Sequence, residues 1–418
     1  MALVHVPQHA TVSPIDEYVY IDYLAKVPTQ GVVHRGEETG DYARNYLACH
    51  GVRVVGTYPE EMCQRADTSL DEERYPNAGA TSADLYTPLY FATTWVLAQP
   101  LVWAGVDDIT EAGRYTGWIW LAGAAVALYF VLRRMSLGRV AATAGPLLMI
   151  GSLASYWSNT YISTDATSLT AGAALLLVGL RVDRGLTSPW WLVLLSVVAT
   201  MAKFQNFSAV VLVSLFLLIR ALNNARTQSG FNNRAMAVLR SSHGLAAVGA
   251  TFASAAAQLA WFAIRSATAV GPQPDQDVSA PLGKKELVNE AFKFLPGVAQ
   301  GAIDPQAVGY GATVMAAALS LVLVAGVVGL ALSSARGSTE GSLAVSALVC
   351  ALVAGPALAI ANFLFAGFYF VLPSRYGMAM LPAFLATSAI LFAQKRWGTA
   401  SFALVAAGSY VLLLTIIE

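Results

Sequence analysis

Four sets of residues in this chain have the types and spacing to do chemistry. In PIDEYVYIDY, Asp16 and Glu17 adjoin Pro14 and a row of tyrosines. A carboxylate beside aromatic rings loses part of its water, which raises its proton affinity and suits it to act as a general base. The same residues in open water are only a solvated loop. In SNTYISTDATSL, Asn159, Ser163, Thr164 and Asp165 form a polar patch. Ser163, Thr164 or Asp165 can accept hydrogen bonds from the free amides at a helix start, and capping by itself accounts for them. Lys203 stands between two short apolar runs. A lysine near a helix end can reach lipid headgroups, but two short runs meeting at a lysine point to a recess, and a recess with a cation suits a phosphate. In FVLPSRYGMAMLP, Arg375 is followed by Tyr376. The planar fork of arginine holds phosphate oxygens at two points, although an arginine at a membrane surface also simply meets headgroups.

Other reactive residues are sparse. Cys49 and Cys63 lie in the N-terminal region, and Cys350 lies within an apolar run. In an oxidising exterior, a bridge between the first two would close a loop of about 15 residues and stabilise by on the order of 3 kcal/mol; two free thiols are the alternative. His5 and His9 have i,i+4 spacing, but Pro7 lies between them and no third ligand is near, which argues against a histidine metal site.

The elements that must position these residues follow from composition. Of 418 residues, 56% are hydrophobic and 12% charged, with a mean hydropathy of +0.57, against roughly 25% charged in an ordinary soluble domain. This predicts an all-α polytopic membrane protein. Lys and Arg balance Asp and Glu at 25 each, so there is no basic excess for neutralising phosphates along a nucleic acid. Residues 1–83 hold 12 acidic and 6 basic side chains, a net of −6, and the remainder carries +6.

Apolar runs of about the length that crosses a bilayer number ten: 115–132, 140–156, 163–180, 189–202, 204–219, 243–264, 310–332, 343–365, 377–392 and 399–417. None has an ionisable residue near its middle, which disfavours a midplane ion or solute pathway. Arg133, Arg134 and Arg139; Arg181 and Arg184; Arg220, Arg226, Arg234 and Arg240; Arg336; and Lys395 with Arg396 fall in alternate connections. The positive-inside rule puts those connections in the cytoplasm. Asp16, Glu17, Asn159, Asp165, Lys203, Arg375 and Tyr376 then face outside. Residues 1–83 form an acidic external region, 84–104 an interfacial helix or hairpin, and 105–418 a multi-pass domain with an external loop at 267–309. Helical spacing at 286–298 predicts a second interfacial helix in that loop.

In their order and sidedness these features resemble the GT-C superfamily of membrane glycosyltransferases, which includes protein O-mannosyltransferases, lipid A aminoarabinose transferases and actinobacterial arabinofuranosyl- and mannosyltransferases. Asp16-Glu17 matches the acidic pair of the family's first external loop. Pro88, Leu89 and Tyr90 in DLYTPLYF match the element that ends it, with Thr87-Pro88 replacing part of the family's usual His-Pro-Pro. The patch at Asn159 to Asp165, Lys203, and Arg375-Tyr376 before Pro382 follow in the family's order.

The resemblance implies transfer of a sugar from a polyprenyl-phosphate donor to a glycan, lipid or protein acceptor outside a bacterial cytoplasmic membrane, with inversion. Asp16 would be the base, Glu17 and Asp165 would shape the site or hold a divalent cation, and Lys203 and Arg375, with Tyr376, Asn159 and Tyr90 nearby, would bind the donor. The high Ala and Gly content fits a high-GC bacterium. The family places a membrane helix before the acidic pair, and the first 14 residues are too short and polar for one, so a further apolar run upstream is expected. The alternatives are a transporter or lipid flippase that uses the outer charges as a gate, and a catalytically inactive scaffold of the same fold.

Overall fold

The computed structural model describes residues 2–9, 11–52, 75–225, 231–272, 279–335 and 337–416. Numbering the α-helices of seven residues or more in chain order gives α1 (Glu17–Gln30), α2 (Asp41–His50), α3 (Leu89–Trp103), α4 (Ile109–Tyr115), α5 (Gly117–Arg134), α6 (Arg139–Ile150), α7 (Leu153–Thr160), α8 (Ala166–Asp183), α9 (Pro189–Ala202), α10 (Phe207–Asn224), α11 (Phe231–Arg240), α12 (Ser242–Ala267), α13 (Lys284–Ala291), α14 (Tyr310–Ser333), α15 (Thr339–Ala366), α16 (Leu381–Phe392) and α17 (Arg396–Leu414). Several start on side-chain caps placed by the sequence. Asp108, Ser152, Ser188, Ser241 and Ser338 each accept a hydrogen bond from an otherwise unpaired amide of the first turn.

Among the described residues, eight helices are long and apolar enough to cross a membrane. The chain is an all-α polytopic membrane protein. The two remaining expected spans take other forms. The run at 140–156 is a bent pair, α6 and α7, at 58°. The bend falls at Gly151 and Ser152, where Ser152 starts a new helix by capping it. A side chain at Gly151 would come within 2.8 Å of the Tyr410 backbone nitrogen, so α17 packs into the bend. The run at 189–202 is α9, 14 residues long, or about 21 Å at 1.5 Å per residue, against a hydrocarbon core of about 30 Å.

The segment at 84–104 contains a single helix, α3, rather than a hairpin, and Trp103 at its end is 80% exposed. The single helix expected at 286–298 is divided. It breaks after α13, a short turn follows at Phe294–Gly297, and Glu290, Phe294 and Val298 are buried. The segment packs inward because Gly355 on α15 lets its backbone approach: a side chain there would lie 2.1 Å from the Glu290 carbonyl oxygen. Only one edge, with Val288 and Phe292, stays exposed.

The bundle has two chemically different ends. Asp183 closes α8 and accepts hydrogen bonds from Arg220 at 2.8 Å and His243 at 3.1 Å, while Arg184 donates to the Arg134 carbonyl. Thus several of the arginine-rich connections meet. At the opposite ends of α8 and α10 lie Asp165 and Lys203. That end is closed by the 3-10 segment Ser374–Met380, which lies against α8 at Gly172. A β-carbon on Gly172 would stand 2.0 Å from the Ala379 carbonyl oxygen. Gly172→Ala should therefore destabilise the fold by about 1 to 3 kcal/mol, the usual range for overpacking. An unchanged thermal midpoint in detergent would contradict this close approach.

Candidate functional site

Asp16, Asp165, Lys203 and Arg375 converge at that end. Asp16 sits at the N-cap of α1 with φ +57°, in the left-handed region. Aspartate tolerates this conformation better than most residues, and such positions are often strained functional ones. Asp165 immediately precedes α8, and its amide is held by the Ser163 hydroxyl at 3.2 Å. Lys203 follows α9 in extended backbone and so breaks the path between α9 and α10. Arg375 is delivered by the 3-10 segment after Pro373.

The Arg375 guanidinium joins both acids. Nη2 donates to Asp16 Oδ2 at 2.6 Å, and Nη1 donates to Asp165 Oδ2 at 3.1 Å. The other Asp165 oxygen pairs with Lys203. Tyr376 supplies an aromatic face, its ring centre 5.6 Å from the Arg375 guanidinium carbon and 6.0 Å from Lys203 Nζ. Lys203 and Asp165 are almost fully buried, whereas the Asp16 side chain is 41% exposed. Of the two acids, only Asp16 offers an open carboxylate to a solute.

Two further tyrosines line the cluster. Tyr20 and Tyr86 meet edge to face at 5.6 Å, and the Thr164 hydroxyl donates to the Tyr20 oxygen at 3.5 Å. Burial pushes both phenols up from their ordinary range, with the Asp16 charge adding to it, so they remain protonated. Tyr90 accepts a hydrogen bond from the Ser163 amide at 3.0 Å. Nearby, the Thr87 hydroxyl donates to the Met201 carbonyl at 2.6 Å and ties this segment to the end of α9. Asp165 also faces a narrow cavity of about 10 Å³, room for one water, lined in part by Ser13, Ile15, Ser158 and Tyr161. Gly301 and Ala302 separate it from an open hollow of about 360 Å³ bordered by Gln300, Asp304 and Ser374.

Two expected members stand apart. Glu17 is fully buried, and its carboxylate accepts hydrogen bonds from Arg114 Nε and Nη2, both at 2.8 Å, from the Ser13 amide at 2.8 Å and from the Ile162 amide at 2.9 Å. It thus fastens the turn that carries Asp165 and has no face toward a substrate. Arg114 also donates to the carbonyls of His9 and Thr11. The sequence reading missed Arg114. The available signal was a single arginine at the start of an apolar run, in EAGRYTGWIW. Asn159 bonds within its own helix, to Ser155 and Ser158, and its Oδ1 is buried without a hydrogen-bond partner.

The donor chemistry does not fit a divalent cation. Both Asp165 oxygens serve cationic side chains, both Glu17 oxygens are taken, and no group of three His, Cys, Asp or Glu is gathered among the described residues. Cys49, in the last turns of α2, is disulfide-bonded, and Cys63 lies outside the described residues. No family model matches this chain, and neither does any curated protein or solved structure.

Proposed function

We propose that this protein is a membrane glycosyltransferase of the GT-C type, moving a sugar from a polyprenyl-phosphate donor to a hydroxyl of a glycan, lipid or protein acceptor. The observation that carries this reading is the Arg375 fork spread between Asp16 and Asp165 with Lys203 behind it. Two cations and two carboxylates sum to zero charge. An incoming phosphate competes with Asp16 for Arg375, so donor binding frees the one exposed acid of the cluster. Asp16 then accepts the proton of the acceptor hydroxyl, whose oxygen attacks the anomeric carbon from the face opposite the phosphate. The bond between that carbon and the phosphate oxygen breaks, and the lipid phosphate leaves with its charge held by Arg375 and Lys203. The configuration inverts.

Topology supports the same reading. Several arginine-rich connections lie at the end of the bundle away from the cluster, and by the positive-inside rule this favours a cluster that faces outside a bacterial cytoplasmic membrane.

The test is donor binding to protein in lipid nanodiscs, with polyprenyl phosphate as the probe. Lys203→Gln and Arg375→Gln should each weaken binding roughly ten- to a hundredfold, the loss expected from charge-assisted hydrogen bonds of about 1.5 to 3 kcal/mol. Wild-type affinity in both variants would remove the phosphate site and the reading with it.

A further inference from the structure

Arg375 reaches two carboxylates from the second residue of the 3-10 segment, so something must fix where that segment begins. The structure places a charged pair there, its acid buried and its lysine partly exposed. Glu290, in the last turns of α13, is fully buried. Its Oε1 accepts three hydrogen bonds: from Lys293 Nζ at 2.6 Å, from the Tyr369 hydroxyl at 2.6 Å and from the Leu372 amide at 3.1 Å. Lys293 in turn donates to the Leu372 carbonyl at 2.8 Å. Both backbone groups of Leu372 are therefore held by one ion pair, three residues before Arg375. Between them, Pro373 has a restricted φ, and its carbonyl accepts from the Tyr376 amide at 3.1 Å. The other side of the segment is equally confined. Ala280 donates to the Tyr369 carbonyl at 2.6 Å, and a side chain at Gly377 would strike Phe294 and Val298. Burying the Glu290 carboxylate is costly unless its partners are well placed, and neither residue touches the Asp16–Asp165–Lys203 cluster.

We infer that Glu290 and Lys293 are positioning residues that set the reach of the Arg375 fork toward the phosphate. This rests on the phosphate-binding reading of the cluster and adds the residues that hold its arginine in register.

The experiment is a double-mutant cycle on binding of polyprenyl phosphate in nanodiscs. Glu290→Ala should weaken binding about tenfold when Arg375 is present and less than twofold in an Arg375→Gln background, because a residue that acts through Arg375 has nothing left to position. Tyr369→Phe, which removes one hydroxyl, should give a smaller loss of about threefold with the same dependence on Arg375, and it carries the test if Glu290→Ala does not fold. Equal losses in both backgrounds would mean a general structural role and overturn the inference. So would folded Glu290 and Tyr369 variants that bind as wild type while Arg375→Gln does not, an outcome that leaves the phosphate site standing. Failure of the wild type itself to bind would remove the phosphate site and the positioning role together.

Discussion

Asp16→Asn is expected to lower sugar transfer by roughly a hundred- to ten-thousandfold, the range that general-base catalysis supplies, while donor binding persists. The substitution suits the site for three reasons. Asparagine has the same size, tolerates the left-handed backbone that residue 16 adopts, and keeps an oxygen to accept from Arg375. What it loses is the capacity to take a proton. Transfer of labelled sugar from a polyprenyl-phosphate donor measures the effect, with polyprenyl-phosphate affinity as the control. A near-normal rate in Asp16→Asn would remove Asp16 as the base and, with it, the proposed mechanism.

Arg114→Met should produce the largest loss of stability, about 3 to 5 kcal/mol, the cost of leaving a buried charge without its partner. Glu17 shows no exposed surface and takes two parallel hydrogen bonds from Arg114, so its carboxylate has no route to water. Replacing both residues, as in Glu17→Met with Arg114→Met, should recover part of the loss, since an apolar pair of similar volume leaves no charge uncompensated. Denaturant unfolding in detergent reads the difference. If the single and double variants lose equally, Glu17 and Arg114 are not coupled in the folded protein.

The membrane character and the helical class were legible because both are written locally, in runs of apolar residues and in caps such as Ser188 before Pro189. The break at Lys203 was legible too, because two short runs cannot both cross a bilayer unaided. The roles within the acidic pair were not. Asp16 and Glu17 are neighbours in sequence, but the helix start turns one toward the cluster and the other toward Arg114, 97 residues away. No local pattern records such a pairing. The segment at 286–298 reads as an amphipathic helix from its spacing, yet the buried acid and the close approach at Gly355 draw it into the bundle. The bend at Gly151 and Ser152 was hidden by uniform apolarity on both sides.

The bridge between Asp16 and Arg375 joins positions 359 residues apart, which bears on how the protein is made. A ribosome feeding the chain into the membrane from its N-terminus releases Asp16 long before Arg375, which follows only after most of the described helices have been synthesised. During that interval the carboxylate lacks its guanidinium, and α1 is held instead by partners that appear earlier, such as Arg114 and the Ile162 amide. Assembly is therefore sequential. A scaffold forms around Glu17 from the first half of the chain, and the charged cluster is completed when the late segment closes over it. A chain released before residue 375 contains every helix that carries Asp16, Asp165 and Lys203, yet lacks the group that draws the two acids together.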